Sequence, residues 1–149
     1  MRLNLGCCDH HMPGFVNVDR VEPCDQVADL TKPWPWKTSS VIEIIAHDII
    51  EHLPDKIHTM NEAWRVLMPG GALRILVPTT DGRGAWQDPT HISYWNRNSF
   101  WYYEAGDAHR ERFGKHYGVE ARFKTVYEQY SMAHAGTITM LEIHLEAVK

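Results

Sequence analysis

The chain is short of cysteine, of long apolar runs and of excess positive charge, and each shortage removes a class of protein. Its 149 residues hold only three cysteines, Cys7, Cys8 and Cys24. An odd count with two adjacent builds no disulfide framework and leaves no CxxC zinc pattern. A reducing, cytoplasmic setting is therefore expected. No apolar stretch approaches membrane length and no leader precedes the first apolar segment, so no membrane association is expected. The net charge of −4 at pH 7 argues against a general nucleic-acid binder, which needs a basic face to neutralise phosphates. Arg110, Arg112, Lys115 and Arg122 lie close in sequence and read as a solvated face. The ten histidines form no HExxH and no paired Cys/His spacing, so no metal site is expected.

What is present suits one domain over residues 1–149. A hydrophobic fraction of 44% is enough for one sizeable core. Leu3-Asn4-Leu5 reads as a strand, and Gly6-Cys7-Cys8 as a tight turn of small residues. Val16-Asn17-Val18 reads as a second strand, ending in Asp19. A strand, a glycine turn and an acid at the tip of the next strand is how open α/β sheets hold a nucleoside: the turn lets a ligand approach the backbone, and the carboxylate accepts from a ribose diol.

The rest of the chain continues the pattern. Gln26 to Leu30 reads as a short strand carrying a second acid, Asp29, before a proline-broken loop, Thr31 to Trp36. Val41 to Ala46 is a β-branched run of the kind buried on both faces. Ile57, Met60, Ala63, Trp64 and Leu67 recur at three- and four-residue steps, which predicts a helix begun by Pro54-Asp55 and stopped by Pro69-Gly70-Gly71. Ala72 to Pro78 is the next strand, so the three make a right-handed parallel βαβ unit. Thr79 to Pro89 reads as a loop, and 91–103 is rich in aromatics. Phe123 to Tyr130 and Thr137 to Val148 read as an antiparallel pair turning at Ala135-Gly136.

Taken together, LNLGCC, VNVD, VADL and VIEIIAHDIIEHLPDKIHTMNEAWRVLMPGGALRILVP resemble the class I S-adenosylmethionine-dependent methyltransferases, of the small type 11 group. The resemblance covers residues 2 to about 80, and the remainder only by strand count. It implies a Rossmann-like α/β sheet ordered 3-2-1-4-5-7-6 with the last strand antiparallel. Two departures mark a minimal version. Cys8 stands where a glycine is common, which is costly if φ is positive there. Only Asp9 to Phe15 separates the first two strands, too short for the usual helix, and helices that normally precede the first strand are expected to be missing.

The resemblance also implies roles. Asn4, Gly6, Cys7 and Cys8 sit under the methionine part of S-adenosylmethionine. Asp19 takes the ribose hydroxyls, and Arg20 lies beside the adenine or on the surface. Asp29 accepts from the adenine amino group or caps its own turn, and Leu30 donates from its backbone. His47 and Asp48 follow the fourth strand past the methionine moiety. His91 is the best candidate for a catalytic base, or else the anchor of its loop. His52 reads as a structural hydrogen-bonder. Trp86, Tyr94 and Trp95 form either a wall for the acceptor or a satellite core, and Phe100 to Tyr103 read as packing. No DPPY-type motif follows the fourth strand, which disfavours a base-amine methylase. A nicotinamide enzyme is disfavoured because no helix N-terminus follows the glycine turn to receive a pyrophosphate.

The expected function is methyl transfer to a small-molecule acceptor, and the alternative is a cofactor-binding, non-catalytic subunit that stabilises a partner. Gly82 and Gly84 suggest that Thr79 to His91 is a mobile lid. The short connections suggest an apolar sheet face left bare near Leu3, Leu5, Val16, Val18 and Val27, and hence a homodimer.

Overall fold

The computed structural model describes residues 1–149. Five strands run parallel: β1 (Arg2–Leu5), β2 (Val16–Asp19), β3 (Gln26–Val27), β4 (Val41–His47) and β5 (Leu67–Pro78). The hairpin of β6 (Phe123–Ala133) and β7 (Ile138–Ala147) joins through β7, which runs antiparallel to both its neighbours. The sheet order is β3-β2-β1-β4-β5-β7-β6. The chain leaves β1 toward one edge and returns at β4 on the other side. Loops at the ends of these two strands therefore diverge and open a crevice, the usual ligand site of such sheets.

Helix α1 (Lys56–Val66) crosses from β4 to β5. The Asp55 side chain caps it by accepting from His58 N, an interaction worth about 1 kcal/mol. Its inward face places Met60, Ala63 and Val66 in the core. β5 begins five residues earlier than the pattern predicts, at Leu67 rather than Ala72. Leu67 pairs with Val41 and Ala72 with Glu43, so the intervening residues bulge out where Gly70 takes φ +75°. β3 is shorter than expected because Asp29 turns the chain away: its Oδ1 accepts from Thr31 N and Thr31 Oγ1.

The apolar face expected to be bare beside β1 to β3 is covered at β1 and β2, for two reasons, while Val27 on β3 stays 54% exposed. Leu3, Leu5 and Val18 point to one side and are buried with Leu30, Trp34 and Trp36. The proline-broken tryptophan loop thus covers the face that a helix would cover. It is tied to α1 by Arg65, which donates to the carbonyls of Trp34 and Trp36, and by Glu62, which accepts from Trp34 N. The other side is polar. Asn4 Nδ2 donates to Asn17 Oδ1 at 3.0 Å and to His10 O at 2.9 Å, while Met12 N donates to Asn17 Oδ1 at 2.7 Å. The 9–15 connection, without a helix, closes over two paired asparagines.

In the second half, two elements rest on capping residues rather than on apolar period. A 3₁₀ segment, Arg97–Tyr103, starts with a reciprocal Asn96–Ser99 capping box and buries Phe100 and Tyr103. Helix α3 (Ala108–Tyr117) is capped by Asp107 and ends at Gly118 in the left-handed conformation. A one-turn helix, α2 (Gly84–Gln87), lies in the segment after β5. No helix is long and apolar enough to cross a membrane.

Candidate functional site

Three adjoining clefts occupy the crevice at the strand ends. The first, about 160 Å³, is lined by Gly6, Asp19, Arg20, Asp29 and Leu30. The second, about 330 Å³, shares Gly6 and adds Asn4, Cys7, Cys8, His47 and Asp48. The third, about 450 Å³, shares Asp48 with the second and His52 with the first, and its wall includes Glu51, Asp88 and His91. Each residue expected to meet the cofactor lines one of the first two clefts, and His91 lines the third.

Gly6 is the hinge of the arrangement. It has φ +65°, and a Cβ built there would lie 2.8 Å from the Ile49 side chain, so neither the backbone nor the space admits a side chain. Cys8 takes φ +44° and Asp48 φ +49°, a left-handed conformation unfavourable for both. Two strained non-glycine residues on one cleft wall are the kind of distortion that packing sustains at functional sites. Cys8 N is held in place by donating to Asp19 Oδ2 at 2.9 Å. Asp19 Oδ1 accepts from Arg20 N at 2.6 Å and Val21 N at 3.3 Å. This carboxylate therefore joins the glycine turn to the tip of β2, and Oδ2 is its less used oxygen.

The other groups divide by their surroundings. The Asp29 carboxyl is held below the ordinary carboxylate range by the Thr31 hydroxyl and amide. Burial pushes the His47 imidazole down, favouring its neutral form. Asp48 is pushed up by burial, with His47, His52 and His91 partly opposing. Asn4 is buried and committed to the pair with Asn17 and to His10 O, so it fixes the turn from behind.

The wall of the third cleft holds a group whose importance its sequence gives no means of seeing. Glu51 is 2% exposed, and neither of its oxygens has a hydrogen-bond partner in good geometry. Burial, and then the Asp48 and Asp88 charges, push its carboxyl up to about 8, while only its own backbone N–H pulls the other way. The Glu51 carbonyl accepts from Ile92 N and Ser93 N, and the Ser93 hydroxyl donates to Ile50 O. These bonds staple the turn after β4 to the 88–93 segment and bring His91 beside Glu51, forty residues away in sequence. The His91 and His52 rings meet edge to face at 4.9 Å. Glu51-His52 is legible as a pair, but no local spacing announces its meeting with His91.

The aromatic segment sorts differently. Trp95 is fully buried and donates to Ser93 Oγ, so it belongs to the core. Trp86 is exposed and stacks on Tyr94 at 4.5 Å. Neither lines the clefts. Gly82 and Gly84 serve close packing: a Cβ on Gly82 would lie 2.6 Å from Thr139 Oγ1, and one on Gly84 2.4 Å from Ile138 Cγ2. Thr79, Gly84 and Ala85 are buried against this strand, which gives the glycines a reason other than flexibility.

The chain matches no protein-family model and no curated protein sequence. Solved structures are similar to it. The 1,6-didemethyltoxoflavin-N1-methyltransferase of Burkholderia thailandensis, with bound 1,6-didemethyltoxoflavin and S-adenosylhomocysteine, aligns with TM-score 0.67 and 12% identity over 99% of this chain and 71% of that one. The complex between the Haloferax volcanii Trm112 methyltransferase activator and a putative methyltransferase gives 0.61 and 13%, over 99% and 82%. The 4+2 cyclase SpnF gives 0.66 and 9%, over 99% and 74%. The fold is that of the class I S-adenosylmethionine-dependent methyltransferases, with its seven-stranded order and antiparallel β7. The cyclase among these structures is a reminder that one fold carries more than one chemistry.

Proposed function

We propose that this chain transfers a methyl group from S-adenosylmethionine to a small-molecule acceptor. The carrying observation is the Gly6 turn, whose bare backbone at positive φ faces two clefts at the switch point, with Asp19 and Asp29 on the rim of one. A cofactor without phosphate needs no helix N-terminus, and the 9–15 connection offers none. On this reading Asp19 accepts from the ribose, Arg20 flanks the adenine, and Asp29 and the Leu30 backbone meet the adenine edge. Gly6, Cys7 and Cys8 present backbone to the methionine part, with Asn4 fixing their turn, and His47 and Asp48 close that end. S-adenosylmethionine, when bound, supplies an electrophilic methyl group on a positively charged sulfur. The protein has to align an acceptor with it and exclude water. On this reading His91, on the wall of the third cleft, is the base that takes a proton from the acceptor.

A homodimer is also proposed, but on another surface than the short connections suggested. β6 is the edge strand, and its Tyr130 and Met132, two residues apart on one face, are 45% and 61% exposed. A long edge with exposed apolar side chains is a template for pairing. The same strand brings Ser131 and Ala133 to the third cleft, so a second copy on β6 would border the acceptor site. Light scattering over a dilution series reads this directly: twice 17.2 kDa is expected, and a stable 17.2 kDa at micromolar concentration removes it.

Calorimetry with S-adenosylmethionine and S-adenosylhomocysteine tests the main reading. Saturable binding of both is expected, and no binding of either overturns it. Tight binding without turnover on any acceptor favours the non-catalytic alternative.

A further inference from the structure

We propose that Glu51, His52 and His91 form a binding site for one divalent first-row transition-metal ion on the wall of the third cleft. The three residues each offer one ligand atom, and these atoms all lie within 4.8 Å of one another. Two imidazoles and one carboxylate on one side of an ion, with the remaining positions facing a cleft, is a ligand set suited to manganese, iron, cobalt or zinc.

Four observations support it independently of any relative. First, the Glu51 carboxylate is 2% exposed with both oxygens unpartnered. A buried carboxylate without partners is expensive, and a cation supplies what the protein withholds. Second, both histidines are poised as ligands. His91 Nδ1 lies 3.2 Å from the Ala85 carbonyl, and His52 Nδ1 lies 3.2 Å from the Thr90 carbonyl. A carbonyl can only accept, so His91 Nδ1 carries the hydrogen and Nε2 keeps a lone pair. His52 Nδ1 is also 3.2 Å from the Thr90 hydroxyl, whose own hydrogen goes to Asp88 Oδ1, so it too faces acceptors and leaves the lone pair on Nε2. A backbone carbonyl behind a histidine is the usual device that fixes a metal ligand's tautomer. Third, His91 Nε2 and Glu51 Oε1 face each other at 4.0 Å, too far for a hydrogen bond, with a lone pair on each side. An ion with bonds of about 2.1 Å draws neighbouring ligands to roughly 3 Å of each other, so closure asks for about 1 Å of movement at this pair and up to about 2 Å across the three. Fourth, the residues lining this cleft include Asp48, Glu51 and Asp88 but no lysine or arginine. Asp88 Oδ2, 3.9 Å from His91 Nε2, lies where it adds negative charge to the same point.

The expectation of no metal site came from local spacing, and this constellation has none. Glu51 and His52 are adjacent, whereas His91 arrives through the staple of Ile92 N and Ser93 N to the Glu51 carbonyl. The open positions face the cleft that the methyl-transfer reading gives to the acceptor. That assignment rests on the methyl-transfer reading; binding of the ion does not.

The test is calorimetry on chelator-stripped full chain, without cofactor, titrated with Mn²⁺ and with Co²⁺, and with Mg²⁺ as the oxygen-preferring control. One ion per chain is expected for Mn²⁺ and Co²⁺, with Mg²⁺ much weaker. Glu51→Gln, an isostere that keeps the packing, and His91→Ala should each weaken binding at least about tenfold. Cobalt's visible spectrum should change in His91→Ala, which a purely structural role would not produce. Absence of saturable binding, or binding that both variants leave unchanged, overturns the site. Titration with S-adenosylmethionine in the presence of chelator is run on the same three proteins. It reports whether the variants are folded. If it fails in the wild type while the metal still binds, the methyl-transfer reading falls and the metal site stands.

Discussion

Asp29 and Glu51 are carboxylates on the rim of one crevice, with the ring of His52 bordering both their clefts. Asp29 is half-buried, and one of its oxygens is satisfied by the Thr31 amide and hydroxyl two residues on. Glu51 is buried and neither of its oxygens is satisfied. Local hydrogen bonds hold the first below the ordinary carboxylate range; burial lifts the second to about 8. The β2–β3 side thus keeps its negative charge by short-range turns and needs no ligand to be stable. The β4–β5 side carries a group that folding alone leaves uncompensated. On the first side a ligand is offered a finished surface; on the second it completes one.

The sharpest way to probe the finished side is Asp19→Ala. Loss of a charged acceptor for the ribose should cost about 1.5–3 kcal/mol, a rise of roughly 10- to 150-fold in the dissociation constant for S-adenosylmethionine. Because Asp19 also receives Cys8 N, Arg20 N and Val21 N, the variant's fold is checked by its thermal transition. An unchanged constant in a folded variant takes Asp19 out of the site.

On the unfinished side the effect is on stability and has a definite sign with pH. In the unfolded chain Glu51 ionises near 4.5, and in the folded chain near 8. Between these values the unfolded state gives up the proton and the folded state keeps it, so the Glu51 contribution to stability is full below 4.5 and falls as pH rises toward 8. Glu51→Gln has no proton to lose. With chelator present it should match the wild type near pH 4.5 and exceed it by on the order of 4 kcal/mol at pH 8. Melting curves of the two that run parallel across that range would mean Glu51 is not held protonated by the fold.

The same division decides how much could be read in advance. The strands themselves, the Gly6 turn, the acid at Asp19 and α1 were legible because each is carried by contiguous residues: an alternation, a glycine, a helical stripe from Ile57 to Leu67. The order of the strands in the sheet came only from the family resemblance. β3 was read three residues too long because Asp29 obeys its turn with Thr31 rather than the apolar pattern. α3 was missed because its apolar period is poor, although Asp107 and Gly118 mark its ends. The tryptophan loop as a cover for β1 and β2, and the approach of His91 to Glu51, depend on contacts across 28 to 43 residues, such as Trp34 N to Glu62 and Ser93 Oγ to Ile50 O. No window along the chain contains them.

The segment after β5 sharpens the comparison from another direction, since it carries His91. Gly84→Ala would put a methyl group 2.4 Å from Ile138 Cγ2. Overpacking of this kind costs about 1–3 kcal/mol, and it should lower the melting temperature and loosen the 79–91 segment in hydrogen exchange. S-adenosylmethionine binding on the β2–β3 side should be almost unmoved. If the segment is instead a freely mobile lid, the substitution is silent in both measurements.

The smallest expected effect lies at the joint of the two sides. Cys8 holds φ +44°, and a non-glycine residue there is strained, while its N–H steadies Asp19 Oδ2. Cys8→Gly removes the strain without removing the N–H. Glycine also enlarges the freedom of the unfolded chain, which subtracts from the gain. The balance at a left-handed position favours glycine by about 0.5–1 kcal/mol, read as a modest rise in melting temperature. Gly6→Ala, two residues earlier, should go the other way and by more, because its Cβ meets Ile49 at 2.8 Å. If Cys8 meets the cofactor through its backbone, as proposed, Cys8→Gly leaves the S-adenosylmethionine dissociation constant within about twofold of the wild type. A large loss of affinity in Cys8→Gly would show that the thiol itself touches the ligand, and that the β2–β3 side is not the backbone surface its hydrogen bonds describe.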